Sequence, residues 1–125
     1  ARDLAGRLGL DGRVRYLPAD LLSDDFGASA YDAAMLGLIT YILTPGQNRS
    51  VLRRAARALK PGGVLVIDAI MSTDRPREWA SRATLLMRTW NGGAAHAFEQ
   101  YRAWLLEAGF REVTRHNEQL LSAVR

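Results

Sequence analysis

The sequence predicts an α/β fold built on a largely parallel sheet with helices on both faces. Three observations carry that expectation. Val64 to Asp68 is an apolar run without polar alternation, which suits a strand covered on both sides. Val51, Leu52, Ala55 and Leu59 form a helix-spaced apolar stripe leading into that run through the breaker Pro61-Gly62-Gly63. A second apolar run, Tyr31 to Leu38, lies upstream at the separation of a crossover unit, which makes the two strands parallel.

Composition narrows the class. The chain has 125 residues, 48% of them hydrophobic, enough for one domain with its own core. No apolar run approaches the roughly 18 residues of a membrane span, and no signal-peptide pattern opens the chain. There is no cysteine, which excludes disulfides, thiolate metal sites and cysteine nucleophiles. The expectation is a cytoplasmic protein with no membrane partner. The net charge of +4 comes almost wholly from scattered arginines, with Lys60 the only lysine. Scattered charge makes no nucleic-acid surface, so no nucleic-acid partner is expected. No cluster of side chains has metal-ligand spacing.

Taken in order, Arg2 to Leu8 forms a short helix with Leu4, Ala5 and Leu8 on one face, stopped by Gly9. The chain therefore opens in a helix with no strand before it, and the N-terminal part of a larger domain is expected to be absent. Val14, Tyr16 and Leu17 begin a strand ending at Pro18-Ala19-Asp20, and Leu21 to Ala30 is a loop or short helix. Tyr31 to Leu38 follows, a strand despite alanines and Gly37 of modest β-propensity. Thr40 to Thr44 connects it to the next helix. There Thr44, Pro45 and Gln47 read as N-cap, N1 and N3 of a capping box. Arg49, Arg53 and Arg57 occupy the other faces of that helix.

Beyond the Pro-Gly-Gly breaker and its strand, Ser72 to Pro76 is a loop, in which Thr73 or Asp74 caps a helix through about Arg88. Trp90-Asn91-Gly92-Gly93 breaks again. Phe98, Tyr101, Leu105 and Ala108 form a last helical stripe. Gly109 fits C′, with Phe110 packing back on Leu105 in a Schellman contact. Val113 lies in one short strand and Gln119 to Val124 in another. There is no internal repeat.

This succession resembles the class I S-adenosylmethionine-dependent methyltransferases, and among them the small-molecule O-methyltransferases. The residues that carry the resemblance are the strand-end Asp20, Tyr31-Asp32 opening an apolar strand, Leu59-Lys60-Pro61-Gly62-Gly63-Val64-Leu65-Val66-Ile67-Asp68, and Tyr101-Arg102-Ala103-Trp104-Leu105-Leu106-Glu107-Ala108-Gly109-Phe110. The resemblance covers nearly the whole chain. It implies a partial methyltransferase catalytic domain over residues 1–125, running from the helix after the family's second strand to the C-terminus. The implied fold is a Rossmann-like methyltransferase sheet of order 3-2-1-4-5-7-6 with the last strand antiparallel, incomplete here because the first two strands are absent. With them go the glycine-rich cofactor loop and the acidic residue that holds the ribose. The strand at Val14 would then not touch the strand at Met35, leaving unpaired edges. The residues alone are expected to fold poorly, bind cofactor poorly and be inactive.

The implied cofactor is S-adenosyl-L-methionine. Asp20 would accept from the adenine amino group and Leu21 would flank the ring; a solvated strand-end aspartate is the plainer alternative. Leu36 and Gly37 would hold the cofactor's amino group through backbone carbonyls, Gly37 permitting close approach, unless it is simply a packing glycine. Tyr41 stands where many relatives carry a histidine base. A phenol, which titrates near 10 in water, is a poor base at neutral pH. The alternatives are an acceptor acidic enough to need no base, transfer to carbon or nitrogen, another group serving as base, or a Tyr41 that only lines the pocket.

Asp68 would orient the substrate or a catalytic partner, or merely cap the next segment. Relatives carry a helper glutamate where Ala95 stands, and the adjacent His96 is a candidate substitute base or an ordinary loop histidine. His116 reads as a surface residue. Met71, Trp79, Met87 and Trp90 line an acceptor pocket or pack in the core.

The implied function is methyl transfer to a small-molecule acceptor, at a hydroxyl oxygen, with a non-catalytic methyltransferase-like scaffold as the alternative. Relatives often form homodimers through an N-terminal region that this chain lacks. A nicotinamide-dependent Rossmann enzyme is disfavoured because no Tyr-x-x-x-Lys pair occurs. A nucleic-acid amino-methyltransferase is disfavoured because Gly37-Leu38-Ile39-Thr40 stands where an Asn/Asp-Pro-Pro-aromatic motif would lie.

Overall fold

The computed structural model describes residues 2–10, 12–72 and 78–125. The chain runs α1 (Arg2–Arg7), β1 (Tyr31–Gly37), a short 3-10 turn (Thr40–Ile42), α2 (Pro45–Ala58), β2 (Leu59–Asp68), β3 (Met71–Ser72), α3 (Glu78–Trp90), β4 (His96–Ala97), α4 (Phe98–Glu107), β5 (Arg111–Arg115) and β6 (Leu120–Val124). Four strands form a sheet of order β1-β2-β6-β5. β1 and β2 are parallel, and β6 is antiparallel to both β2 and β5. This is the 4-5-7-6 half of the implied methyltransferase order, antiparallel last strand included. Among the described residues no helix is long and apolar enough to cross a membrane.

One face of β2 and β6 carries the core. Leu65, Ile67, Leu121 and Ala123 are fully buried there against Leu52, Ala55 and Ala56 of α2 and Tyr101, Trp104 and Leu105 of α4. Each such large side chain contributes roughly 2 kcal/mol by leaving water. The expectation that β2 is covered on both faces is corrected: Val64, Val66 and Asp68 alternate with the core residues and are only half-buried. Trp104 joins the core although the expected stripe of α4 omitted it.

Helix ends follow local chemistry. The capping box of α2 is present: Gln47 N donates to Thr44 Oγ1 at 3.3 Å, and Thr44 N donates to Gln47 Oε1 at 2.9 Å. α4 ends in the Schellman pattern, with Phe110 N donating to Leu105 O at 3.0 Å and Gly109 at φ 96°. The Pro61-Gly62-Gly63 stretch departs from expectation. β2 already begins at Leu59, so the breaker lies inside the strand as a register shift between the Tyr31↔Leu59 and Ala33↔Val64 pairs. Gly62 has φ 79°, and a Cβ on Gly63 would stand 2.9 Å from Lys60 O, so the irregular backbone needs both glycines.

The strand expected at Val14 to Asp20 does not form: no strand is assigned over those residues, and Val14 N donates to Leu10 O at 3.0 Å instead. The physical reason is the sheet order, which leaves this segment no neighbour to pair with. In α1, Ala5 is buried while Leu4 and Leu8 are exposed, so the expected apolar face is largely unpacked. The proposed caps Thr73 and Asp74 lie outside the described residues.

Among the described residues the outer edge of β1 has no strand partner. A cleft of ≈ 390 Å³ runs along it, lined by Leu17, Leu21, Phe26, Ala33, Met35 and Leu36 among others. Met35 is 64% exposed. An open apolar edge of this kind invites non-native association. Residues 1–125 produced alone should therefore bind a hydrophobic dye and unfold without a sharp transition by circular dichroism. A cooperative melt with no dye binding would contradict this account of the edge.

Candidate active site

The carboxyl ends of parallel strands are where open α/β sheets bind ligands. Here β1 and β2 end level, because Gly37 pairs with Asp68. Leu38 N then donates to Asp68 O at 2.8 Å. Leu38 itself turns away at φ 51°, a conformation that a non-glycine residue keeps only when its neighbours hold it. Gly37 is exposed, and a Cβ added there would meet only Met35 Cε at 3.8 Å, so its surroundings are open to approach. Asp68 is half-buried at this edge.

Asp20 and Leu21 lie in a separate loop with its own bracing. Leu22 N donates to Asp20 Oδ1 at 2.8 Å, and Asp20 N donates to Asp24 Oδ2 at 2.8 Å. The Leu22 amide, followed by the Ser23 hydroxyl, holds the Asp20 carboxyl below the usual carboxylate range. The group is thus exposed and ionised at neutral pH. Arg54 of α2 fastens the loop, donating to the carbonyls of Leu21 and Asp24 and lying 4.8 Å over the Phe26 ring. Sequence reading missed Arg54. The available signal was an arginine set among Val51, Leu52 and Ala55 rather than on the outer face. Leu21 reaches the cleft beside β1, where Leu36 also lies.

Tyr41 sits in the Thr40–Thr44 turn beyond β1 and is half-buried. The segment after α3 packs onto this turn. A Cβ on Gly93 would stand 2.4 Å from Tyr41 O and 2.7 Å from Ile42 C, so only glycine fits. That segment leads into β4, which pairs in parallel with β3 through Met71↔His96, a small second sheet that the sequence did not announce. His96 is 4% exposed, between the rings of Tyr101 and Trp104. Its Nε2 faces Leu43 O at 3.3 Å, and since a carbonyl only accepts, Nε2 carries the proton. Burial lowers the imidazole pKa against the opposing pull of that carbonyl, with the Arg88 charge acting the same way as burial. The ring is therefore neutral at pH 7, and the expected loop histidine is a buried one.

The structure thus groups Leu36, Gly37 and Asp68 at one edge, Tyr41 and His96 about the adjoining turn, and Asp20 with Leu21 on the far side of the cleft. No hydrogen bond or ion pair joins Asp68 to Tyr41 or His96 among the described residues. Of the residues read as lining a pocket or packing in the core, the methionines follow the core alternative. Met71 and Met87 are buried, Met71 within the core cluster, whereas Trp90 is 80% exposed. The Trp79 side chain lies outside the described residues. His116 is exposed at the sheet end, as expected, its Nε2 2.8 Å from Ser122 Oγ.

Comparison with known proteins shows the family and the fold. The sequence pattern of the O-methyltransferase domain matches residues 3–111. An L-tyrosine C(3)-methyltransferase of Streptomyces lavendulae is 32% identical over 110 residues, covering 85% of this chain and 30% of that protein. The N,N-dimethyltransferase OxyT of Streptomyces rimosus is 33% identical over 117 residues, covering 86% of this chain and 33% of that one. The chain therefore spans about a third of the length of the curated relatives it matches. Among solved structures, the S-adenosylmethionine-dependent methyltransferase SibL superposes with a TM-score of 0.83 at 27% identity, over 99% of this chain and 39% of that one.

Replacing Gly93 by alanine should force the Tyr41 backbone to move and lower stability by about 1–3 kcal/mol, read as a lower denaturant midpoint. Gly46→Ala, where an added Cβ meets nothing within 4 Å, should leave the midpoint unchanged or slightly raised. Equal effects of the two substitutions would contradict the packing described.

Proposed function

Because this chain belongs to the O-methyltransferase domain family, we propose that it supplies one side of an S-adenosylmethionine-dependent active site that methylates a small-molecule acceptor at a hydroxyl oxygen. The observation that carries the reading is the level ending of β1 and β2, which sets Leu36, Gly37 and Asp68 together on the ligand-binding edge of the sheet. Relatives whose names specify carbon and nitrogen methylation keep those acceptor atoms as alternatives to oxygen.

The residues present fit part of the cofactor. An exposed, ionised Asp20 suits the adenine amino group, and Leu21, facing the cleft, suits the flat ring. Leu36 and the unobstructed Gly37 suit the amino group of the methionine part through their backbone carbonyls. When bound, the cofactor supplies an electrophilic methyl on a sulfonium. The protein's part is to hold the two reactants in line, and proximity of this kind accounts for much of the rate in such transfers. Asp68 accepts a hydrogen bond from the acceptor or orients it. Tyr41 borders the acceptor from the adjoining turn. His96, neutral and donating from Nε2 to a backbone carbonyl, suits holding that turn better than abstracting a proton.

A non-catalytic scaffold is the second reading. It is favoured by Tyr41 and Ala95 standing where the family resemblance implies a histidine and a glutamate. Incubating the natural polypeptide that carries these residues with S-adenosylmethionine and a panel of phenols separates the two. We expect release of S-adenosylhomocysteine and a product heavier by one methylene unit; release with none of the acceptors supports the scaffold. Asp20→Asn should weaken binding of S-adenosylhomocysteine roughly tenfold by calorimetry, the loss of one charge-assisted hydrogen bond. Unchanged affinity would remove Asp20 from the cofactor site.

A further inference from the structure

The Thr40–Thr44 turn rests on a buried polar node assembled from three elements. Asn48 of α2 is fully buried, and its Nδ2 donates to Thr40 O at 2.9 Å and to Leu43 O at 3.2 Å. These two carbonyls flank Tyr41 and Ile42. His96 of β4 donates to the same Leu43 carbonyl at 3.3 Å. Tyr101 of α4, also fully buried, meets the Thr40 hydroxyl at 2.8 Å. Burial pushes the Tyr101 phenol up to about 12, against the opposing effect of the Thr40 hydrogen bond, so it is a neutral partner. The His96, Tyr101 and Trp104 rings pack edge to face, with centroids 4.9 to 5.9 Å apart. Asn48 Oδ1 has no partner among the described residues.

Such a node is a poor way to gain stability. Apolar side chains of the same shape would fill the space at little net cost, while a buried polar atom left unpaired is expensive. What the node does fix is direction. Four hydrogen bonds from below, with the Gly93 backbone against Tyr41 O, leave the turn one position.

We infer that Asn48, Tyr101 and His96 are positioning residues for Tyr41: by holding Thr40 and the Leu43 carbonyl they set the angle at which Tyr41 borders the acceptor. The inference deepens the methyl-transfer reading and rests on it for the role of Tyr41. None of the three touches substrate. They act through the backbone of the turn, and Asn48 cannot be exchanged for aspartate, which would turn an acceptor towards two carbonyls.

The test reads the position of Tyr41 directly and needs no acceptor. The natural polypeptide is labelled with fluorotyrosine, and the Tyr41 fluorine resonance is assigned by its disappearance in Tyr41→Phe. Thr40→Val and Tyr101→Phe, each of which removes one hydroxyl with little change of shape, should move or broaden the Tyr41 resonance by more than its linewidth. Asn48→Leu should do the same. Thr40→Ser, which keeps the hydroxyl, should restore the wild-type resonance. A role in stability alone predicts lower melting temperatures with the Tyr41 resonance unmoved, and that result would overturn the inference. If Asn48→Leu fails to fold, the two hydroxyl deletions still decide. Failure here leaves methyl transfer standing, whereas absence of turnover with an unmoved node would remove the catalytic reading alone.

Discussion

The parallel pairing of β1 with β2 is the constraint on which the remaining architecture depends. It sets Gly37 opposite Asp68 and lets the Leu38 amide reach the Asp68 carbonyl at 2.8 Å. Because the two strands end level, the chain must leave β1 through a sharp turn, and Leu38 takes a left-handed conformation to do so. The Thr40–Thr44 turn is what this departure produces. α2 starts from it through the capping box, and β4 and α4 close over it. The core beneath, Leu65 and Ile67 against α2 and α4, keeps that register because a slip of one residue would carry both side chains to the opposite face.

Much of this order was legible in the sequence, and the reasons are local. Thr44, Pro45 and Gln47 specify a helix start whose hydrogen bonds involve only neighbouring residues. Gly109 and Phe110 specify a helix end in the same way. The apolar runs at Tyr31 and Val64 mark strands because each is short, bounded and separated by a helical stripe. What was not legible depends on pairing. Val14 to Leu17 has strand-like composition, yet a strand exists only with a neighbouring strand, and the sheet order among the described residues sets none beside it. Pro61-Gly62-Gly63 reads as a stop, but backbone pairing with β1 on both sides of it carries the strand through. The β3–β4 pair is two residues long on each side, too short for any periodicity to reveal.

The candidate site divides along the same line. Asp20, Leu36 and Gly37 are what the family resemblance implies, and Asp68 is also the end of a central strand on the edge where open α/β sheets carry ligands. His96 was named for its chemistry, and its surroundings were hidden, since they are made by residues 43, 71, 101 and 104, remote in sequence. The same holds for Asn48 and Arg54. Each is a polar residue on an otherwise apolar side of α2, one bracing the Thr40–Thr44 turn and the other the Asp20 loop. α2 thereby orients both sides of the candidate site from one rigid helix.

The central claim is that these residues form one side of a methyltransferase site at the carboxyl edge of the sheet. A crystal structure of the natural polypeptide with S-adenosylhomocysteine bound tests it most directly. The account predicts the adenine amino group against the Asp20 carboxylate and the homocysteine amino group against the Leu36–Gly37 backbone, with Asp68 and Tyr41 bordering the space before the sulfur. A cofactor bound elsewhere, touching neither the Asp20 loop nor the end of β1, would contradict it.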